Sequence, residues 1–354
     1  MIKSLALFVS SFLLIPAIAA AQDRELDSLL DMVEASIADG DVERGLAPLA
    51  MAKERGAAST STASTIRLHE LSAAICELYS GDFACVVEEM TALIAIDSAR
   101  TPAYMWRGHA QRMLVQPDRA VDDFRRVLAL EPMNADAWYQ VAITLRFMRR
   151  FDEAHHAIDS ALGLRAGNEN DLFEKGEIFQ QEGDLDAARE WFAKGVAMNP
   201  ENARGWALIG GIHEANGRLD SALHYVEHAI RLDPTNSYYF GVGGFLLSQL
   251  GRYDDAAAIF ADLVSQPNAT QYDLNNYGLV LHKLGRHNEG IAFIQKSIAL
   301  DSTNAYAYRN LALVLLALDE ADNACEALAL ALDHGFTQQY GDEVLRLSDE
   351  HCAR

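Results

Sequence analysis

The chain has 354 residues, room for two ordinary domains or for one long repeat array. Half of it is apolar but only 8% is aromatic, a balance that suits close-packed helices cored by alanine and leucine. Its formal net charge of -22, from 51 Asp+Glu against 29 Lys+Arg, repels a phosphate backbone. The sequence offers no basic face to offset that, only a local cluster around Arg112, Arg146, Arg149 and Arg150, so nucleic acid is excluded as a partner.

Residues 1–21 read as a secretory signal peptide. A short basic start at Lys3 precedes the apolar run Leu5 to Ile15, which falls short of the roughly 20 residues a membrane span needs. Pro16 then breaks the run, and small residues fit cleavage after either Ala19 or Ala21. Export, to the periplasm or beyond it, is therefore expected, with no stable membrane insertion afterwards. Residues 26–55 form a degenerate helix pair with Gly40 at its turn, and Pro48 should kink the second helix. The Ser/Thr/Ala-rich stretch 56–66 reads as a linker.

From Arg67 to Gln338 the chain runs in one register of eight 34-residue rows, starting at Arg67, Thr101, Ala135, Glu169, Ala203, Ser237, Gln271 and Ala305. Position eight holds small residues (Ala74, Gly108, Ala142, Gly176, Gly210, Gly244, Gly278, Ala312), and position twenty is alanine, glycine or, once, Val86. Position four is usually bulky: Tyr104, Trp138, Leu172, Trp206, Phe240, Leu274, Tyr308. Apolar positions 4, 7, 8 and 11 mark one helical stripe, and 20, 24 and 27 mark another. Gly183, Gly217, Gly251 and Gly285 at position fifteen should end first helices in the left-handed conformation, and Pro132, Pro200 and Pro234 should stop second helices. In the first row, Leu71, Ile75 and Leu78 place the stripe one residue out of register.

Period and signature together resemble the tetratricopeptide repeat over about three quarters of the chain. The resemblance implies an all-α fold: a right-handed superhelix of about eight to nine helix pairs, closed by a capping helix over residues 339–354. One pair cannot bury both of its stripes, so stability is shared between rows. Cys325 and Cys352 reach similar heights on antiparallel helices and are candidates for a disulfide, as are Cys76 and Cys85 across one turn; two buried thiols are the alternative for the latter.

Motifs of chemistry are fragmentary. The "GVGG" at Gly241 lies inside a helix, and "HEANG" at His213 lacks the second histidine of a zinc protease. His224 and His228 are one turn apart without a third ligand. No cofactor, metal or catalytic activity is expected. In the repeats this chain resembles, positions 2, 5, 6, 9, 12 and 13 of each first helix line a concave groove. Here those positions carry Met105, Trp106, His109, Arg112, Tyr139, Ile143, Arg146, Phe147, Phe173, Tyr238, Phe245, Tyr272, Leu279, Tyr306 and Leu313. Tyr238, Tyr272 and Tyr306 have a competing reading, packing sideways on the next row.

Asn276 and Asn310, both at position six, would grip an extended peptide backbone as partial rungs of an asparagine ladder that some relatives carry. Arg309 alone does not make a carboxylate clamp. Ala207 and Gly241 leave the middle of the groove bare, which predicts a pocket. The expected partners are protein or extended peptide segments, with the arginine cluster selecting acidic stretches. Carbohydrate or cell-wall polymer binding, and an accessory subunit that positions an envelope enzyme, are the alternatives.

Overall fold

The computed structural model describes residues 23–352 apart from positions 58 and 60, so the signal peptide expected over residues 1–21 lies outside the described residues. Helices make up the described chain, and no strand occurs among the described residues. It divides into two compact units, one ending at Asp184 and one starting at Leu185.

The first unit opens with α1 over 23–38, a 3-10 turn at Val42–Gly45, and α2 (Leu46–Gly56). Leu26, Leu30, Val33, Leu49 and Ala52 bury one another and pack against Leu68 and Ile75 of α3 (Thr62–Ile75). Pro48 does not kink a helix as expected. It is buried in the first turn of α2, where the missing N–H removes no helical hydrogen bond.

The expected 56–66 linker is shorter than its composition indicates. Ser61 caps α3 by accepting from the Ser64 N–H, so Thr62 onward is already helical. A π-helical turn, Cys76–Ser80, then shifts the register, and Leu78 is 59% exposed rather than core. The remaining helices of this unit are α4 (Phe83–Ile96), α5 (Thr101–Met113), α6 (Pro117–Leu130), α7 (Ala135–Phe147), α8 (Phe151–Leu164) and α9 (Glu169–Glu182).

The second unit repeats the plan. It holds α10 (Leu185–Met198), α11 (Ala203–Ala215), α12 (Leu219–Leu232), α13 (Ser237–Gln249), α14 (Tyr253–Ser265), α15 (Gln271–Lys283), α16 (His287–Leu300), α17 (Ala305–Ala317) and α18 (Ala321–Asp333). The expected single cap over 339–354 is two short helices, α19 (Phe336–Tyr340) and α20 (Glu343–His351), separated at Gly341. Both disulfides are formed: Cys76 with Cys85, and Cys325 with Cys352 at a Cα–Cα distance of 5.7 Å.

Each row is built the same way. Position fifteen has a positive φ in all eight rows: at Gly81, Gly183, Gly217, Gly251 and Gly285, and also at Val115, Arg149 and Asp319. The next residue's N–H then returns to the carbonyl five residues back, as from Arg218 to His213 and from Arg252 to Leu247, closing the first helix. Position twenty-four is buried throughout: Met90, Phe124, Ile158, Phe192, Val226, Phe260, Ile294 and Leu328 are each at most 1% exposed.

The position-four rings use their polar ends on the preceding loop, six residues back. Trp206 Nε1 donates to the Pro200 carbonyl at 2.8 Å, Trp138 Nε1 to that of Pro132, and the Tyr104 and Tyr308 hydroxyls to those of Ser98 and Ser302. Asparagines spaced 34 residues apart, Asn134, Asn168, Asn202, Asn236 and Asn304, cap the following first helices. Thr270 takes that place before α15 and forms a capping box with Asp273.

Candidate functional site

Within the second unit the first helices α13, α15 and α17 lie side by side, each in contact with the next. Glycine dominates α13 for two reasons. Gly244 admits the Phe260 ring, since a Cβ there would lie 3.0 Å from it, and Gly243 sits over Ile230. Gly241 serves neither contact. A Cβ at Gly241 would meet only Asp273 Oδ1, at 3.1 Å.

That empty space belongs to a cavity of about 450 Å³ lined by Glu214, Ser237, Tyr238, Gly241, Val242, Phe245, Thr270, Tyr272, Asp273 and Asn276. Tyr238 and Tyr272 are 67% and 61% exposed, large rings left in solvent beside it. The Glu214 carboxyl forms no hydrogen bond or ion pair among the described residues, and burial pushes its pKa above the usual range. Asp273 accepts from the Thr270 N–H and hydroxyl through Oδ2 only, while Oδ1 is the atom nearest Gly241.

A second cavity of about 250 Å³ adjoins it, sharing Phe245 and Asn276, and also lined by Lys283, Tyr306, Arg309 and Leu313 among others. Leu279 lines it as well. Asn276 therefore stands in the wall of both cavities, with its amide making no hydrogen bond among the described residues.

Other residues singled out from the sequence fall differently. Asn310 is fully buried, donating from Nδ2 to Asn275 Oδ1 and accepting from Arg309, so it is no groove rung. Arg309 is held by Glu343 and lies over the Tyr306 ring. Tyr306 itself packs sideways, stacked on Phe336, whereas Tyr238 and Tyr272 do not bury themselves. Ala207 packs beside Trp206 and does not line the cavity with Gly241. His213, from the protease-like fragment, leans on the Tyr225 ring, and His228 meets Trp206 edge-on. No group of three or more metal-ligating side chains occurs among the described residues.

In the first unit, Met105, Trp106 and His109 line an open cavity of about 630 Å³ together with Glu131, Asp136 and Gln140. Trp106 Nε1 donates to Glu77 at 2.6 Å. Burial and the neighbouring Arg112 hold the His109 pKa low. Phe173 is fully buried, contrary to its expected place on the groove; a phenylalanine ring gains about 1.5–3 kcal/mol when a neighbouring helix can cover it.

The arginine cluster is largely spent internally. Arg146 is buried and bound by Glu174 and Glu177, and Arg150 by Glu153. Arg149 lies over the Phe151 ring, and Arg146 also covers the exposed ring of Phe147. Tyr139 sits under Arg165. Arg112 and the exposed Arg149 make no ion pair among the described residues; Arg112 is half-buried, its pKa lowered by burial. The cluster is therefore not the broad acid-selecting surface that its sequence spacing implied.

The geometry defines an α-helical repeat protein whose first-helix faces carry cavities. Tetratricopeptide-repeat profiles match residues 139–203, 173–237, 208–273 and 274–304, so these repeats are tetratricopeptide repeats. No curated protein matches the chain. Among solved structures, the APC/C hetero-tetramer Cut9-Hcn1 is similar at 16% identity and a TM-score of 0.59, over 85% of this chain and 59% of that one. A tetratricopeptide repeat protein from Parabacteroides merdae matches at 17% identity and a TM-score of 0.57, covering 70% and 98%. Pseudomonas aeruginosa pilF follows at 16% and 0.50, covering 60% and 96%. At such identities the likeness is one of fold alone. No described helix is long and apolar enough to cross a membrane.

Proposed function

We propose that this chain is an exported, non-catalytic scaffold that holds an extended segment of a partner protein along the first-helix face of its second unit. The observation that carries this reading is the pair of adjoining cavities, about 450 and 250 Å³, divided by Phe245 and Asn276. Side chains two apart on an extended strand would enter the two cavities, while the free amide of Asn276 offers a donor and an acceptor to the backbone between them. The exposed Tyr238 and Tyr272 supply apolar area at low entropic cost. Export is supported by the basic–apolar–small pattern of residues 1–21 and by the pairing of all four cysteines.

The test is a crosslinking pull-down from envelope extract of the native host with wild type and Gly241→Leu. The leucine side chain must enter the cavity, and its Cβ alone would press on Asp273 Oδ1 at 3.1 Å. Capture of the same proteins at least ten times more weakly by the variant is expected; equal capture refutes the reading. A parallel depletion assay on insoluble envelope polymer separates it from carbohydrate binding, since this reading predicts no depletion.

A further inference from the structure

The larger cavity carries a specificity that the fold alone does not supply. Its polar lining is anionic: Glu214 has no counterion, and Asp273 keeps one oxygen uncommitted toward the space at Gly241. Lys and Arg do not occur among the described residues of its walls, although Lys283 and Arg309 line the neighbouring cavity. Its apolar lining is largely aromatic, with Tyr238, Tyr272 and Phe245. A carboxylate left half-buried and unpaired is unfavourable, and a cation that neutralises it recovers that loss. Aromatic faces attract the same charge through their quadrupoles. Acid and ring together select an ammonium or guanidinium carried on an apolar stem.

We infer that the cavity bounded by Glu214, Asp273, Tyr238, Tyr272 and Phe245 receives a lysine or arginine side chain of the bound segment. This deepens the proposed function and rests on it. It also reverses the acidic preference that the arginine cluster implied, since charge complementarity at this site favours a basic segment. The smaller cavity, where Lys283 makes no ion pair among the described residues while Arg309 is held by Glu343, then takes a polar or acidic neighbour, so the preferred segment is basic at one position rather than basic throughout.

The experiment pans a displayed library of random dodecapeptides against the full chain, its Glu214→Gln and Tyr272→Ala variants, and Asp220→Asn. Asp220 is exposed on α12 and controls for the loss of one negative charge from an acidic protein. Circular dichroism checks that each variant is folded. Wild type and Asp220→Asn should enrich peptides with a fixed lysine or arginine about threefold over the Glu214→Gln pool.

A synthetic peptide from the wild-type pool should bind about tenfold more weakly when its lysine becomes norleucine. Against Glu214→Gln or Tyr272→Ala, that substitution should change affinity less than threefold. Equal enrichment in the Glu214→Gln pool, or its equal loss with Asp220→Asn, overturns the cation assignment and leaves peptide binding standing. Capture of no peptide by wild type overturns both.

Discussion

Replacing Gly278 by alanine should destabilise the protein, although alanine is the better helix former by about 1 kcal/mol. Gly278, at position eight of its row in α15, faces Gly290, at position twenty of the same row in α16. A Cβ on Gly278 would lie 2.6 Å from Ile294 Cγ1, 2.7 Å from the Gly290 carbonyl oxygen and 3.2 Å from the Ile294 nitrogen. Real Cβ contacts stay above 3.0 Å, so the two helices must separate. Overpacking of this kind costs about 1–3 kcal/mol; a backbone carbonyl cannot swing aside, which puts the cost at about 2–3 kcal/mol, and after the propensity gain a net loss of about 1–2 kcal/mol remains.

Trimming Ile294 to valine should not rescue the variant, because valine keeps the γ carbon that clashes and the Gly290 carbonyl is still in the way. Gly211→Ala in α11 is the matched control. Nothing lies within 4 Å of a Cβ there, so it should gain about 0.5–1 kcal/mol from propensity alone. Urea unfolding followed by far-UV circular dichroism measures both variants. Finding Gly278→Ala as stable as wild type, or Ile294→Val restoring it fully, would refute the close-approach argument.

Three further outcomes follow from the same structure. Val115→Gly should stabilise by about 1 kcal/mol, seen as a raised urea midpoint at unchanged slope, because Val115 is held at φ 56 and is 85% exposed. Glu89 is half-buried, which alone would raise its pKa, but hydrogen bonds from His69, Lys53 and Ser72 outweigh this and bring it to about 2. Its contribution is therefore complete above the ordinary value of 4.5 and fades as pH falls from there toward 2. After allowing for solvent screening the loss is about 1–2 kcal/mol, and Glu89→Gln should flatten that acid limb in unfolding titrations. Replacing Cys325 and Cys352 together by serine removes a link across 27 residues, worth about 2–4 kcal/mol. Amides of α20 should then exchange on the order of 100-fold faster, and unchanged rates would show that packing alone holds the C-terminal helices.

The repeat frame was legible because backbone demands recur at fixed spacing. Gly183, Gly217, Gly251 and Gly285 announce the left-handed turn, but Val115, Arg149 and Asp319 adopt it without announcing it, since the hairpin's packing imposes the conformation on whatever residue stands there. The asparagine caps at 34-residue intervals stand in the letters as well, a polar repeat beside the apolar stripes. At the site, spacing located Tyr238, Gly241, Phe245, Tyr272 and Asn276, all of which line one cavity.

Spacing could not say which groove positions a neighbour would cover, and so it misplaced Phe173 and Asn310, both fully buried. Glu214 occupies a groove position but carries no aromatic signal. Its weight comes from having no partner, a property of the fold rather than of the local sequence.

Hydroxyl-radical footprinting of the full chain, free and bound to a captured peptide, tests the account most directly. Tyr238 and Tyr272 should be modified readily in the free protein and shielded at least fivefold in the complex. Tyr239 and Tyr277, 6% and 8% exposed, should stay inert in both. Shielding confined to other surfaces, with Tyr238 and Tyr272 modified equally in both states, would contradict the claim that this face holds the partner.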